Sequence, residues 1–336
     1  MASPGRYNAI TDVDGLLVGH CTNLQAVTGL TVIIAPDGAI AGVDVRGSAP
    51  GTRETNVLAP VNLVDKAQAV VLSGGSVYGL ASADGVVRWL SNKGYGFPLQ
   101  DNCVAPIVPS AVLYDLGRGP DFIPDIQPQW GVAACEAAAS GPVDTGNVGA
   151  GTGAFSGSIK GGLGTASLVL NNGISVGAIV AVNSDGSVIN PKNGRPWEIE
   201  LEQEQEFGAQ GRRAVNLPPR PAAAPAQNTT IGLVATDAEL NKPQALKIAQ
   251  MAHDGMARAI RPAHTMFDGD TVFCMATCRK KLPEPPGFFI VPHAQAVSEI
   301  GHAAADCLAR AIIRAIVDAE SVGDMRAFRD LEDISD

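Results

Sequence analysis

The sequence has 336 residues, of which 46% are hydrophobic and 17% are charged, so it can bury a large core in one big domain or in two intimate ones. Its net charge of −10 argues against binding to nucleic acid or to an anionic membrane surface. No apolar stretch is long enough to cross a membrane, and the N-terminus lacks the apolar core of an export signal, so we expect a cytoplasmic protein.

The first half of the chain predicts short buried strands, separated by turns, and two helices. We expect the helices at 78–90, after a Ser-Gly-Gly-Ser turn, and at the alanine-rich stretch 130–139. The strands are expected at 9–18, at 31–34 before a turn at 36–38, at 69–72 and at 111–114.

The second half of the chain predicts a more regular alternation. The strands 166–170 and 177–182 are expected to pair through the turn formed by residues 171–173. Residues 187–228 are polar and irregular. Beyond them we expect strands at 231–235 and 272–276 and helices at 241–260 and 294–319. Because strands and helices alternate irregularly, the pattern favours mixed α/β layers.

The junction after the polar region is the most informative feature of the sequence. Closely spaced prolines between residues 217 and 227 favour an extended backbone that runs into Asn228 and Thr229. If the Asn228–Thr229 bond were cut, Thr229 would carry a hydroxyl and a free α-amine. That amine would have a pKa of about 8, which suits a general base. On local sequence alone, a threonine that opens a strand is more often ordinary strand chemistry.

A glycine-rich run at 149–157 only partly matches a dinucleotide fingerprint. More glycines follow it, so no helix can begin there to bind pyrophosphate, and no phosphate-binding Gly-Lys-Ser/Thr loop is present. The five histidines and six cysteines show no metal-ligand spacing. We therefore expect no cofactor and no metal. Lys160 lies among the glycines, where the backbone can approach a ligand closely, and is a candidate site residue.

Two further sets of polar residues sit at strand ends. Asp268 and Asp270 precede the predicted strand 272–276, where they could hold a metal, pair with a cationic amine or cap a turn. Asn183 ends the predicted strand 177–182, and functional side chains often gather at strand ends in α/β folds. For each of these residues taken alone, a role in a turn is the default interpretation.

Taken in order, these motifs resemble the DmpA-type (S58) peptidase family of self-processing N-terminal-nucleophile hydrolases. This family includes L-aminopeptidases/D-esterases, β-peptidyl aminopeptidases and endo-type nylon-oligomer (6-aminohexanoate) hydrolases. Because order and spacing match over most of the chain, the resemblance is more specific than any single motif. The matching stretches are 8–15, 72–79, 110–115, 149–153 with 160–162, 228–230 and 268–271.

The resemblance implies a fold, a maturation step and a set of site residues. The fold would be an αββα sandwich like that of ornithine acetyltransferase, and self-cleavage would divide one hydrolase domain, 1–336, into fragments 1–228 and 229–336. These fragments would stay together, usually in homotetramers. The implied roles are Thr229 as nucleophile, Asn183 as oxyanion donor, Tyr114 near the acyl group, and Lys160, Asp268 and Asp270 orienting Thr229 and its new amine.

The sequence departs from the aminopeptidase branches of this family. Those branches carry a serine nucleophile and a Ser-x-Glu pair, whereas this chain has Thr229 and the pair Asp268 and Asp270, as in the nylon-oligomer hydrolases. A small peptide or an amide oligomer is the implied substrate. Two alternatives stay open at this point: acyl transfer in the manner of ornithine acetyltransferase, and an uncut ligand-binding protein without catalysis.

Overall fold

The secondary structure combines strands of very different lengths with a few helices. The computed structural model describes residues 2–220, 228–283 and 293–334, and the predicted extended segment 221–227 lies outside this part. The strands are β1 Leu17–Asn23, β2 Thr28–Val45, β3 Gly51–Arg53, β4 Lys66–Ser73, β5 Phe97–Pro98, β6 Val104–Ala105, β7 Ser110–Val112, β8 Phe155–Ser156, β9 Ile159–Lys160, β10 Gly162–Val169, β11 Ser175–Asn183, β12 Ile189–Asn190, β13 Arg195–Pro196, β14 Thr229–Ala238 and β15 Thr271–Lys280. The α-helices are α1 Ser82–Asn92, α2 Pro128–Glu136, α3 Gly208–Gly211, α4 Lys242–Ala259 and α5 Ala294–Val317.

The 18-residue strand β2 connects two halves of the large sheet. The strand order is β10-β11-β14-β15-β2-β4-β7-β3, and β1 pairs with β2. The second part of β2, 40–45, runs antiparallel to β15, whereas its first part, 30–34, pairs with β4. The pairing is irregular between Ile34 and Ala39, as at a β-bulge, so β2 can bend from one half of the sheet into the other.

Buried apolar side chains form three layers that define the architecture. One layer lies between the helices α4 and α5 and the half of the sheet made by β10, β11, β14 and β15, and Val180 and Leu308 are two of its members. The middle layer lies between the two halves of the sheet and contains Ile33 and Ile231. The third layer, which includes Val86, lies under α1 and α2. The order helix, sheet, sheet, helix is the predicted αββα sandwich.

Most predicted elements are found with shifted ends, but one expected strand and one expected turn are wrong. The expected strand at 9–18 is a short 3-10 turn, Ile10–Asp12, and β1 begins only at Leu17. The reason is that the Asp12 carboxylate accepts the N–H groups of Tyr7 and Ala9, both at 3.0 Å, and so folds the backbone back. The expected turn at 36–38 lies inside β2, which continues to Val45.

Helix α1 also differs from its prediction at its start. The expected helix at 78–90 opens as a 3-10 turn, Ser76–Ala81, and becomes α-helical only at Ser82. Helices α4 and α5 agree with their predictions within a few residues. Within the three described ranges, no helix combines the length and the apolarity that a membrane crossing needs.

A buried ion pair fastens α5 to the rest of the fold. Arg310 and Glu206 have side chains that are only 1% and 4% exposed, and the guanidinium donates to both oxygens of Glu206, at 2.5 and 2.9 Å. The guanidinium also donates to the Ser167 carbonyl and to Asn8 Oδ1, both at 2.9 Å. Both charges are therefore fully hydrogen-bonded, which is the condition under which a buried pair is tolerated.

We expect Arg310→Met to destabilise the protein by about 3 kcal/mol, because it leaves the buried Glu206 carboxylate without its cationic partner, although Asn8 Nδ2 and the N–H of Gln203 still donate to it. The matched control is Arg53→Met, which removes the exposed pair of Arg53 with Asp84 and should cost about 0.5 kcal/mol or less. Urea unfolding of both variants measures the difference. Equal losses of stability would contradict this account of Arg310.

Candidate active site

The predicted nucleophile lies where two neighbouring strands of the sheet end. Thr229 is the first residue of β14, and in the antiparallel pairing of β11 with β14 it lies opposite Asn183, the last residue of β11. Thr229 is 5% exposed and Asn183 is fully buried. Because side chains alternate along a strand, Thr229 shares its face with Ile231 and Leu233, which belong to the middle apolar layer. The two residues therefore meet at the end of the space between the two halves of the sheet.

The hydroxyl of Thr229 is held against the peptide bond that precedes it. Its Oγ1 donates a hydrogen bond to the carbonyl oxygen of Asn228 and accepts one from the N–H of Gly269 at 3.1 Å. A side chain at residue 269 would not fit, because a Cβ there would lie 2.9 Å from Thr229 Oγ1 and 2.8 Å from the Ala49 carbonyl oxygen. The backbone of Asn228 also forms a parallel bridge with Asp268.

Asp270 fixes the start of β14. Its Oδ1 accepts the N–H of Thr230 at 2.8 Å, and its Oδ2 accepts the N–H of His264 at 2.9 Å. The ring Nδ1 of His264 lies 2.8 Å from the same Oδ2. Each oxygen of this buried carboxylate thus has a partner, and one of the partners is the residue directly after Thr229.

Asp268 holds the loop that carries Gly269. Its Oδ2 accepts the N–H of Thr265 at 2.8 Å and the hydroxyl of Thr265 at 2.6 Å, and its Oδ1 accepts the N–H of Asp185 at 3.3 Å. Burial, and then the neighbouring Asp270 carboxylate, raise the pKa of Asp268 above its ordinary value. The sequence-predicted pair therefore lies at the Asn228–Thr229 junction, and both members accept backbone hydrogen bonds.

The side-chain amide of Asn183 links the two halves of the sheet. Its Oδ1 accepts the N–H of Phe155 at 2.9 Å, and its Nδ2 donates to the carbonyl oxygen of Tyr114 at 3.1 Å. Tyr114 follows β7 in the other half of the sheet and is half-buried. Its contact with Asn183 runs through the backbone carbonyl, which motif reasoning could not foresee.

Lys160 is buried beside the glycine-rich run. Its Nζ donates to the carbonyl oxygens of Gly151 and Gly161, at 2.9 and 2.8 Å, and neither of these bonds goes to Thr229. Burial lowers the pKa of Lys160 to about 7, although the negative charge of Asp115 opposes this shift. A charged lysine beside the new α-amine of Thr229 would favour the neutral form of that amine, and with a pKa of about 7 Lys160 carries its charge mainly below about pH 7.

Three polar residues near the site were not singled out in the sequence. Asp115 is buried, its Oδ1 accepts the N–H of Gly75 at 2.6 Å, and burial raises its pKa to about 6. His264 binds Asp270 and stacks edge-to-face on His253, with 4.8 Å between the ring centres. Asp185 accepts the Nδ2–H of Asn228 at 3.0 Å. Two of these residues could have been found from the sequence, because Asp115 lies within the matching stretch 110–115 and Asp185 lies just beyond β11.

A cavity of about 440 Å³ opens beside this junction and is lined by Asp185, Ser187, Leu217, Arg220 and Arg261, among other residues.

In the part of the chain that the structure describes, no cluster of three His, Cys, Asp or Glu side chains is arranged to hold a metal ion. The arrangement places the Thr229 hydroxyl against the carbonyl oxygen of the preceding residue, with amide donors and buried carboxylates around it. Those are the parts of an acyl-transfer site.

Sequence comparison relates the chain to peptidases over nearly its whole length. The model of peptidase family S58 matches residues 8–328. An uncharacterized aminopeptidase of Mycobacterium tuberculosis is 43% identical over 347 aligned residues, which cover 96% of this chain and 98% of the relative. A 6-aminohexanoate-oligomer endohydrolase of Kocuria sp. is 32% identical over 300 residues, which cover 85% of this chain and 79% of the relative.

Solved structures share the architecture. A β-aminopeptidase of Burkholderia sp. matches with a TM-score of 0.73 at 27% identity, covering 97% of this chain and 91% of that one. The L-aminopeptidase D-Ala-esterase/amidase of Ochrobactrum anthropi, a variant of the Ntn hydrolase fold, matches with a TM-score of 0.72 at 24% identity, covering 100% and 93%. The latter likeness concerns the fold alone. Because the family match spans nearly all residues and the relatives cover the same length, the chain belongs to peptidase family S58.

Proposed function

We propose that this peptidase-family protein is an amide hydrolase that cuts its own Asn228–Thr229 bond and then uses Thr229 as an N-terminal nucleophile. The observation that carries the proposal is the contact of Thr229 Oγ1 with the carbonyl oxygen of Asn228, supported by the N–H of Gly269. A hydroxyl in this position is next to the carbonyl that it would attack. The Asn228–Thr229 peptide bond would therefore be the first amide bond that this site cuts.

Self-cleavage would proceed in two steps. In the first, Thr229 Oγ1 attacks the carbonyl carbon of Asn228, the C–N bond breaks, and the hydroxyl proton passes to the nitrogen, which leaves an ester and a free α-amine. In the second, water hydrolyses the ester to give the Asn228 carboxylate and the Thr229 hydroxyl. The same two steps with an external amide form and hydrolyse an acyl-enzyme, with the α-amine of Thr229 as general base.

The surrounding residues would position these groups. Asp270 holds the N–H of Thr230 and so fixes where the new chain end begins, while Asp268 shapes the loop that presents the N–H of Gly269. Asn183 lies across the strand pair from Thr229 and would supply a donor to the oxyanion. Lys160 would affect the protonation of groups in the site through its charge. The hydrogen bonds of its Nζ go to the carbonyl oxygens of Gly151 and Gly161 and not to Thr229.

The substrate is proposed from the relatives. Those relatives are named as aminopeptidases and as 6-aminohexanoate-oligomer endohydrolases, so a small peptide or an oligomer of an ω-amino acid is the proposed substrate class. Threonine as the nucleophile and the pair Asp268 and Asp270 favour the oligomer hydrolases, as the motif comparison implied. A tetramer of cleaved pairs and a cytoplasmic location stay predictions.

Freshly purified protein should consist of fragments 1–228 and 229–336 without any added protease. Thr229→Ala should stay intact and inactive because no hydroxyl remains, whereas Thr229→Ser should still cleave. The matched control is Thr230→Ala, which removes the adjacent buried hydroxyl and should leave cleavage in place. Intact-mass spectrometry measures all four proteins. Normal cleavage of Thr229→Ala would mean that an outside protease cuts the chain.

Asp268→Asn and Asp270→Asn should each reduce kcat/KM on an amino-terminal amide by roughly 100-fold or more, because each carboxylate holds backbone that carries or faces Thr229. Asp101→Asn is the matched control, since it makes the same change in an exposed turn whose positive φ of 55° suits asparagine as well. Extent of cleavage and turnover are measured separately. If both site variants mature and turn over like the wild type, the assignment of this loop is wrong.

His264 is expected to position Asp270. Replacing it can show whether its hydrogen bond to Asp270 or the packing of its ring supports turnover. His264 has a positive φ of 58°, which asparagine tolerates, and the Asn Nδ2 can replace the ring Nδ1. We therefore expect His264→Asn to keep most of the turnover, and His264→Gly, which tolerates the same φ but has no side-chain donor, to lower kcat about tenfold or more with a smaller change in KM. Steady-state kinetics of the matured variants tests this, and equal losses in both would show that the ring serves packing only.

A further inference from the structure

The carboxylate of Asp185 faces the upstream side of the proposed scissile bond. Its Oδ1 accepts the Nδ2–H of Asn228 at 3.0 Å and also contacts Nη2 of Arg220. Its backbone N–H donates to Asp268 Oδ1 at 3.3 Å, which ties this residue to the loop beside Thr229. One carboxylate oxygen therefore receives two donors from the polar region before the junction, and one of these donors is a cation.

The contacts of Asn228 outline a subsite for substrate. In self-cleavage, Asn228 is the acyl group that is transferred to Thr229, and in later turnovers the acyl group of an external amide must take the same place. The residues that touch the Asn228 side chain are therefore those that the acyl group of a substrate would meet. This step rests on the proposed function, because it requires that precursor and substrate share one nucleophile.

We propose that Asp185 binds the ammonium group of an amine-bearing acyl residue, and that Arg220 occupies this carboxylate until the chain is cut. The Asp185 side chain is only 14% exposed, so its charge is poorly hydrated and favours a cationic partner. Hydrolysis releases Asn228 and Arg220 from their covalent tie to β14. A substrate amine can then displace them.

The neighbouring cavity provides room for such an acyl group. It is lined by Asp185 together with Arg220 and Arg261. The positive charge of Arg261 is already engaged, since the guanidinium stacks on Trp197 at 4.2 Å from the ring centre and pairs with Glu198 at 3.4 Å. Once Arg220 has moved away, the carboxylate of Asp185 is therefore available to bind a cation in this cavity. An acyl group with an amine fits it better than the same group without one.

Matched substrates test this assignment. The p-nitroanilides of 6-aminohexanoate and β-alanine are compared with those of hexanoate and propionate, which differ only in the amine. Asp185→Asn should lower kcat/KM roughly 10- to 100-fold on the aminoacyl substrates and leave the amine-free substrates nearly unchanged. Equal losses on both kinds of substrate, or an unchanged preference for the amine, would overturn the proposal.

A binding experiment decides the same question without turnover. In the uncut Thr229→Ala background, calorimetry with hexylamine should show weak binding, which strengthens when Arg220→Gln is added and disappears when Asp185→Asn is added as well. Arg220 is 49% exposed, so its replacement should not disturb folding. Binding that survives Asp185→Asn, or no gain from Arg220→Gln, would contradict the proposal. Failure of the proposed function looks different: the wild type would stay uncut and turn over none of the four substrates.

Discussion

The register between β11 and β14 is the constraint on which the candidate site depends. It places Asn183 opposite Thr229 and brings both to the end of the space between the sheet halves. A slip by one residue would move Thr229 to the face that packs against the helices. The apolar pattern prevents such a slip, because Ile231 and Leu233 fill the middle layer while Val234 packs under α4 and α5. The alternation of side chains along β14 that builds the core therefore also determines the face of the sheet on which the Thr229 hydroxyl lies.

The second requirement is that buried charges around this hydroxyl have partners. Asp270 accepts the N–H groups of Thr230 and His264, and Asp268 accepts those of Thr265 and Asp185. A buried charge without such partners would cost several kcal/mol. The folded chain thus orders these groups before any substrate arrives, which is the condition under which electrostatic stabilisation of a transition state is most effective.

Sequence reasoning reached the fold class because most strands are short, apolar and bounded by glycine, proline or asparagine. It failed at residues 9–18, where the Asp12 carboxylate bends the backbone, and within β2, where Pro36 and Gly38 lie in a bulged strand rather than in a turn. Both errors arise from contacts that apolar periodicity does not encode. Pattern alone also could not show that a single strand connects both halves of the sheet.

The site was predicted to the extent that its residues sit in motifs. Thr229, Asp268 and Asp270 lie close together in the fold, whereas Nζ of Lys160 hydrogen-bonds the backbone carbonyls of Gly151 and Gly161. His264 and Asp185 were missed because their importance depends on loops that return to β14 from distant parts of the chain. A lone histidine or aspartate in a polar loop carries no signal of such a return.

The position of a covalent acyl group tests the central claim most directly. The matured protein is mixed with a p-nitrophenyl ester of 6-aminohexanoate, quenched in acid within milliseconds, digested and mapped by mass spectrometry. The account predicts one acyl group on the peptide that begins with Thr229, attached through its hydroxyl oxygen and lost on longer incubation. An acyl group on any other residue, or a peptide in which Asn228 and Thr229 are still joined in active protein, would contradict it.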